Sequence, residues 1–121
     1  MNNLPTQKYS EGKNHLLEIL YQWDQSPPHP TRDHLQREQA GFVVWKEKLK
    51  SDGWTRKDVY GLVNDIYAHH YKEFTENTMD QLGEFGDALV GWCSPDFFER
   101  FPGDPVDQDA FVAHVRGDKW R

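Results

Sequence analysis

Asp65, His69 and Glu73 stand four residues apart along the most regularly patterned stretch of the chain. On a helix this spacing stacks carboxylate, imidazole and carboxylate turn upon turn, a set able to share a divalent ion or to orient the ring. Structural zinc takes four ligands and catalytic zinc three plus water. No second helix offers an obvious histidine or Glu-x-x-His group to complete such a set. The trio therefore reads as a surface ion-pair ladder, with a metal-assisted enzyme centred on it as the competing reading. His70 falls within the apolar stripe of the same stretch and reads as a hydrogen-bonded core histidine.

The second chemical feature is negative charge. Formal net charge is −6, yet residues 73–109 hold ten carboxylates (Glu73, Glu76, Asp80, Glu84, Asp87, Asp96, Glu99, Asp104, Asp107, Asp109) against Arg100 alone, a local charge of −9. Such asymmetry speaks to partners and solubility rather than to fold. Asp80, Glu84 and Asp87 share a helix face opposite the apolar arc, which suits either a solvated surface or docking on a basic partner. Three charges over seven residues span about 10 Å, where duplex DNA presents about six. Nucleic-acid mimicry would need Glu73, Glu76, Asp96, Glu99 or the Asp104–Asp109 group to fold alongside.

The third is aromatic. Tyr60, Tyr67 and Tyr71, with Asn64 among them, line the other flank of the patterned stretch, as packed rings with wet hydroxyls or as rigid interface anchors. Trp92 stands at the edge of an apolar arc, and Trp120 in a polar tail. The lone cysteine, Cys93, excludes an internal disulfide or a cysteine-based zinc site and reads as a buried thiol. There is no Gly-rich phosphate loop, no Gly-x-Ser-x-Gly elbow and no His-Glu-x-x-His pair. We assign no catalytic residue, metal or cofactor, and read the chain as not an enzyme.

These groups must be positioned by helices, because no alternating strand pattern and no internal repeat occurs. The expectation is an all-α, compact bundle of five to six short helices in a single domain over residues 13–121, behind a flexible N-terminal tail at 1–12. Asn14 would cap a helix from His15 to Asp24, ended by Ser26-Pro27-Pro28-His29-Pro30. Thr31 would cap the next, to about Asp52, with Leu35, Phe42, Trp45 and Leu49 inward and Gly53 as its C-cap. The central helix, about 56–74, is capped by Thr55 with Asp58 and lays Val59, Leu62, Val63, Ile66, Tyr67 and Phe74 on the core. Joined to its predecessor by a very short link, it should lie beside it.

Thr78 with Gln81 reads as a capping box for Met79 to about Cys93, with Leu82, Phe85 and Leu89 inward and Gly86 marking a close helix approach. Ser94-Pro95 opens a turn through Phe97, Phe98 and Phe101. Asp104-Pro105 opens a last helix with Val106, Ala110, Phe111 and Val115 inward, stopped by Gly117. The second and third helices resemble a helix-turn-helix in outline, but DNA binding demands a basic footprint that this acidic chain lacks.

No apolar run approaches membrane-spanning length, and residues 1–12 lack a signal peptide's apolar region, so a cytoplasmic protein is expected. The function these features favour is a small acidic module that binds protein and acts by occlusion. It would be an inhibitor of the immunity or anti-defence type, docking on the basic surface of a nuclease or other nucleic-acid-binding complex. No direct contact with nucleic acid or membrane is expected. Its contact residues would be Glu73, Glu76, Asp80, Glu84, Asp87, Asp96, Glu99, Tyr60, Tyr67 and Tyr71. A helical subunit of a larger assembly is the remaining alternative.

Overall fold

Apolar residues recurring at helical spacing, punctuated by Thr and Asp caps and by Gly and Pro stops, leave the backbone few options but helices joined by tight links. The computed structural model, which describes residues 4–121, has that form. It holds five α-helices and no strand among the described residues: α1 (Thr6–Asp24), α2 (Arg32–Ser51), α3 (Arg56–His70), α4 (Glu76–Leu89) and α5 (Gln108–Arg116), with single 3₁₀ turns at Tyr71–Glu73 and Pro95–Phe97. The chain is an all-α bundle.

α1 and α2 form an antiparallel hairpin. Lys8 pairs with Asp52 at one end of it (3.1 Å), and the Trp45 indole donates to the Gly12 carbonyl (3.0 Å). α3 and α4 form a second hairpin, and α1 packs across α4. One core unites them: Leu16, Leu20 and Trp23 from α1, Trp45 and Leu49 from α2, Leu62 and Ile66 from α3, and Met79, Leu82 and Leu89 from α4.

Residues 6–12, read above as part of a loose tail, are instead the first two turns of α1; Met1–Asn3 lie outside the described residues. Asn14 thus sits inside a helix rather than capping one. Composition misled here because Thr6–Gly12 contains one apolar residue of consequence, Tyr9, whose ring stacks on Trp54 (5.7 Å) and whose hydroxyl donates to Asp65 (2.7 Å). Gly12 is buried against Trp54, so closely that a Cβ there would come within 2.5 Å of the ring.

Other boundaries shift for similar reasons. α2 lies along α1, not along α3. The short link does hold Gly53 in a left-handed conformation (φ +86°), but it turns the chain sharply away. Thr75, not Thr78, caps α4, accepting from the Thr78 amide while its own amide and hydroxyl donate to Asp24 at the end of α1 (3.0 Å each). That carboxylate, 51 residues away, settles the start of α4. α4 ends at Leu89, before Cys93, which is half-buried. Asp107, not Asp104, caps α5, so Val106 points outward and is 92% exposed. Leu35 is exposed as well, since the first turns of α2 project beyond α1.

Asp104 has another role. Its side chain is buried against the Arg56 guanidinium, with both side chains 2% exposed and a 3.0 Å contact. Arg56 also donates to the carbonyls of Leu89 (3.0 Å) and Glu99. The rings of Phe101, Phe111 and Trp120 surround its guanidinium at 5.3–5.8 Å. Thr55 and Asp58 form the expected capping box around the start of the same helix.

Two outcomes follow from this packing. Gly12→Ala should lower stability by about 1–3 kcal/mol through overpacking, whereas Gly41→Ala, with nothing within 4 Å of the new methyl, should raise it by about 0.5–1 kcal/mol; urea unfolding of both variants checks the contrast. Arg56→Met should cost about 3–5 kcal/mol, because it leaves the buried Asp104 carboxylate with only the His114 ring and the Phe101 amide beside it. Arg56→Lys should recover little of that loss, since an ammonium cannot span three separate acceptors in one plane.

Candidate protein-docking surface

α4 brings four carboxylates onto one stripe. Glu76, Asp80, Glu84 and Asp87 fall within a narrow arc at 100° per residue and all are exposed. None of the four makes an ion pair among the described residues. From Glu76 to Asp87 the helix rises about 16 Å, over which one strand of DNA carries about five charges and the duplex about ten. The stripe therefore matches the charge spacing of a single strand, not of a duplex.

The tyrosine flank of α3 meets this stripe. Between α3 and α4 runs a groove of about 250 Å³, lined by Tyr60, Asn64 and Tyr67 on one wall and by Gly83, Gly86 and Asp87 on the other. Trp92, 73% exposed, and Arg121 also line it. Tyr67 donates its hydroxyl to the Met79 carbonyl and stacks obliquely on Tyr71 (6.1 Å). Burial, and then the nearby charges of Asp80 and Asp87, push the Tyr67 phenol above its ordinary value, so those two carboxylates lie close enough to act on the groove. Close approach of the helices falls at Gly83, where a Cβ would meet the Tyr67 hydroxyl at 2.7 Å, rather than at Gly86 as read above, where the nearest atom would be an unstrained 3.6 Å away.

Not every carboxylate of the acidic stretch joins the stripe. Glu99 is clamped between Lys46 and Lys50 (2.6 Å each). Burial opposes its ionisation, but the two ammonium groups outweigh that and hold the carboxyl below the usual range. Glu73 accepts from Tyr21 (3.2 Å) and pairs with His70. His70, read above as a core residue, is thereby a half-buried partner of a surface carboxylate. Asp104 is buried with Arg56, and Asp107 caps α5. Asp96 and Asp109 are exposed and make no ion pair among the described residues.

The Asp65, His69 and Glu73 ladder keeps only its first rung, because Glu73 turns to His70 and Tyr21. Asp65 turns to Tyr9 (2.7 Å) and Lys13 (3.0 Å), leaving His69 3.8 Å from its second oxygen. Burial raises the Asp65 pKa, but the tyrosine and the lysine outweigh it and the net shift is downward. Among the described residues no group of three or more His, Cys, Asp or Glu is arranged to hold a metal.

A larger cleft, about 480 Å³, opens near the start of α3 between Leu4, Lys57, Pro102 and Trp120. Most of its charged groups are already paired, Arg56 and His114 with Asp104, and Asp52 with Lys8 and Lys48, which leaves exposed Lys57 without an ion pair among the described residues. Asp58 Oδ1 and Trp54 Nε1 are buried without a partner, but both atoms are closed off from the surface and present nothing to a ligand there. Trp120, expected in a polar tail, packs edge-on against Tyr60 (5.4 Å) and donates to the Val115 carbonyl (3.2 Å).

No protein-family model, curated protein or solved structure matches this chain. No helix among the described residues is long and apolar enough to cross a membrane.

The acid response separates the clamp from the stripe. A carboxyl depressed in the folded state contributes stability that is complete above its unfolded pKa, about 4.3 for glutamate, and is lost as pH falls through the folded value. Glu99→Gln should therefore be clearly less stable than the parent at neutral pH. The gap should close as the pH is lowered below about 4, whereas Glu84→Gln, which breaks no ion pair, should be no less stable than the parent at neutral pH. Thermal unfolding across that range reads both.

Proposed function

We propose that this protein is a small acidic binding module that acts by occlusion, laying the α4 stripe and the α3–α4 groove on a basic surface of a partner protein. The observation that carries the reading is the alignment of four exposed, unpaired carboxylates beside a groove walled by tyrosine and tryptophan. A protein keeps such a stripe uncompensated at a cost in self-repulsion, which a cationic partner would relieve. Exposed charge provides fast, salt-sensitive encounter, and the rings provide a rigid amphipathic centre that can be desolvated. Basic surfaces of this kind normally hold nucleic acid, so a nuclease or other nucleic-acid-binding complex is the partner class, and an inhibitor, immunity or anti-defence role in the cytoplasm is the matching biology. No enzymatic step is part of the reading.

A second reading, a helical subunit of a larger assembly, has one observation in its favour. Leu35, Val43 and Val44 leave apolar side chains uncovered on α2. Analytical ultracentrifugation of the pure protein would show self-assembly through that surface.

The primary test is a partner captured from host lysate at low salt, identified by mass spectrometry and then purified. It should be a basic protein, and Asp80→Asn, Glu84→Gln and Asp87→Asn combined should weaken its binding by about tenfold or more, mostly in the association rate, with thermal stability unchanged or slightly raised by the relief of repulsion. A partner bound equally well by parent and triple variant would end the occlusion reading.

A further inference from the structure

The groove already holds a guanidinium group. Arg121 lines it, with its guanidinium carbon 5.8 Å from the Tyr60 ring centroid and 5.7 Å from that of Trp120. Its side-chain neighbours there are aromatic rings, and neither Asp87 nor any other carboxylate pairs with it among the described residues. Three features of the groove favour this chemistry over a plain ammonium. The lining is aromatic, with Tyr60, Tyr67 and the exposed Trp92. The opposite lip carries the Asp87 carboxylate, unpaired and exposed. The wall facing those rings carries no side chain at Gly83 or Gly86, which leaves the width between the helices to a flat group.

Resting on the occlusion reading, we propose that the α3–α4 groove is a binding site for an arginine side chain of the basic partner, and that Arg121 occupies part of it until the partner arrives. A planar guanidinium is weakly hydrated, stacks on aromatic faces and presents a two-pronged edge to a carboxylate; a lysine ammonium is a compact, strongly hydrated charge that does neither well. The stripe of Glu76, Asp80, Glu84 and Asp87 draws cationic surfaces in without discriminating between them. The groove adds the discrimination. Arg121 would be displaced rather than extruded from a core, because the residue is exposed.

The proposal is tested with oligoarginine and oligolysine peptides of equal length, titrated into the full chain at low salt by calorimetry, with the indole N–H resonances followed by NMR. Oligoarginine should bind about tenfold more tightly than oligolysine and should shift the Trp92 indole. Trp92→Ala, at an exposed position, and Gly86→Met, which fills the trough from a site where a Cβ fits without strain, should each bring the two affinities to within about twofold. Arg121→Ala should strengthen oligoarginine binding by about two- to fivefold and leave oligolysine unchanged.

Equal affinities in the parent, or a preference that survives both Trp92→Ala and Gly86→Met, would overturn the arginine site. An Arg121→Ala variant that binds oligoarginine no more tightly than the parent would overturn its self-occupancy. The triple substitution of Asp80, Glu84 and Asp87 keeps the two ideas apart. If parent affinities are equal and the triple variant loses both peptides, the docking face stands and the arginine site falls. If neither peptide binds the parent, both fall.

Discussion

The guanidinium of Arg56 is the constraint on which the C-terminal third of the molecule depends. It sits at the first residue of α3, where the helix dipole disfavours a positive charge. From there it reaches Asp104, the Leu89 carbonyl at the end of α4 and the Glu99 carbonyl in the following link. Those three acceptors belong to a stretch that carries little regular structure of its own. That shared donor fixes the path of residues 90–105 across α3, with Lys46 and Lys50 holding Glu99 from the other side. Phe101, Phe111 and Trp120 close over the cation, so the apolar content of this end of the bundle is gathered around a charge instead of around itself. A buried pair of this kind contributes less to net stability than to the choice of one arrangement over its competitors.

That arrangement sorts the acidic residues. Glu99 presents its carbonyl to Arg56 and its carboxylate to Lys46 and Lys50, which ties the end of α2 to the link. Asp104 is used up by Arg56, and Glu73 by His70 and Tyr21. What remains uncompensated along a regular element is the α4 stripe. The local charge excess in residues 73–109 thus resolves into two populations: carboxylates that hold the fold together and carboxylates that face outward with no cation beside them. Only the second can act on another molecule. Its position beside Tyr60, Tyr67 and Trp92 combines long-range attraction with a short-range surface that tolerates desolvation.

Helix content, the central helix with its Thr55–Asp58 box and the inward faces of α3 and α4 were all legible in the chain. The same holds for the shared face of Asp80, Glu84 and Asp87 and for the tyrosine flank on α3. Each is a relation between residues at most one or two turns apart, and helical periodicity alone sets such relations. The early start of α1 was not legible, because Thr6–Gly12 is polar and earns its order from Trp54, Trp45 and Asp65, all distant in the chain. Thr75 as the cap of α4 depended on Asp24 in the same way.

The sequence by itself determined which residues are helical and which face of each helix is apolar, since both follow from local spacing and capping chemistry. Tertiary structure alone decided which charges are spent. Arg56 was unremarkable in the chain, one basic residue after a cap, and Asp104 read as the start of a helix; nothing local links two residues 48 positions apart. Pairing across such distances depends on how helices cross, and crossing is settled by the whole core at once. The groove was decided there too, because its walls come from separate helices that meet only after Gly83 lets Tyr67 approach.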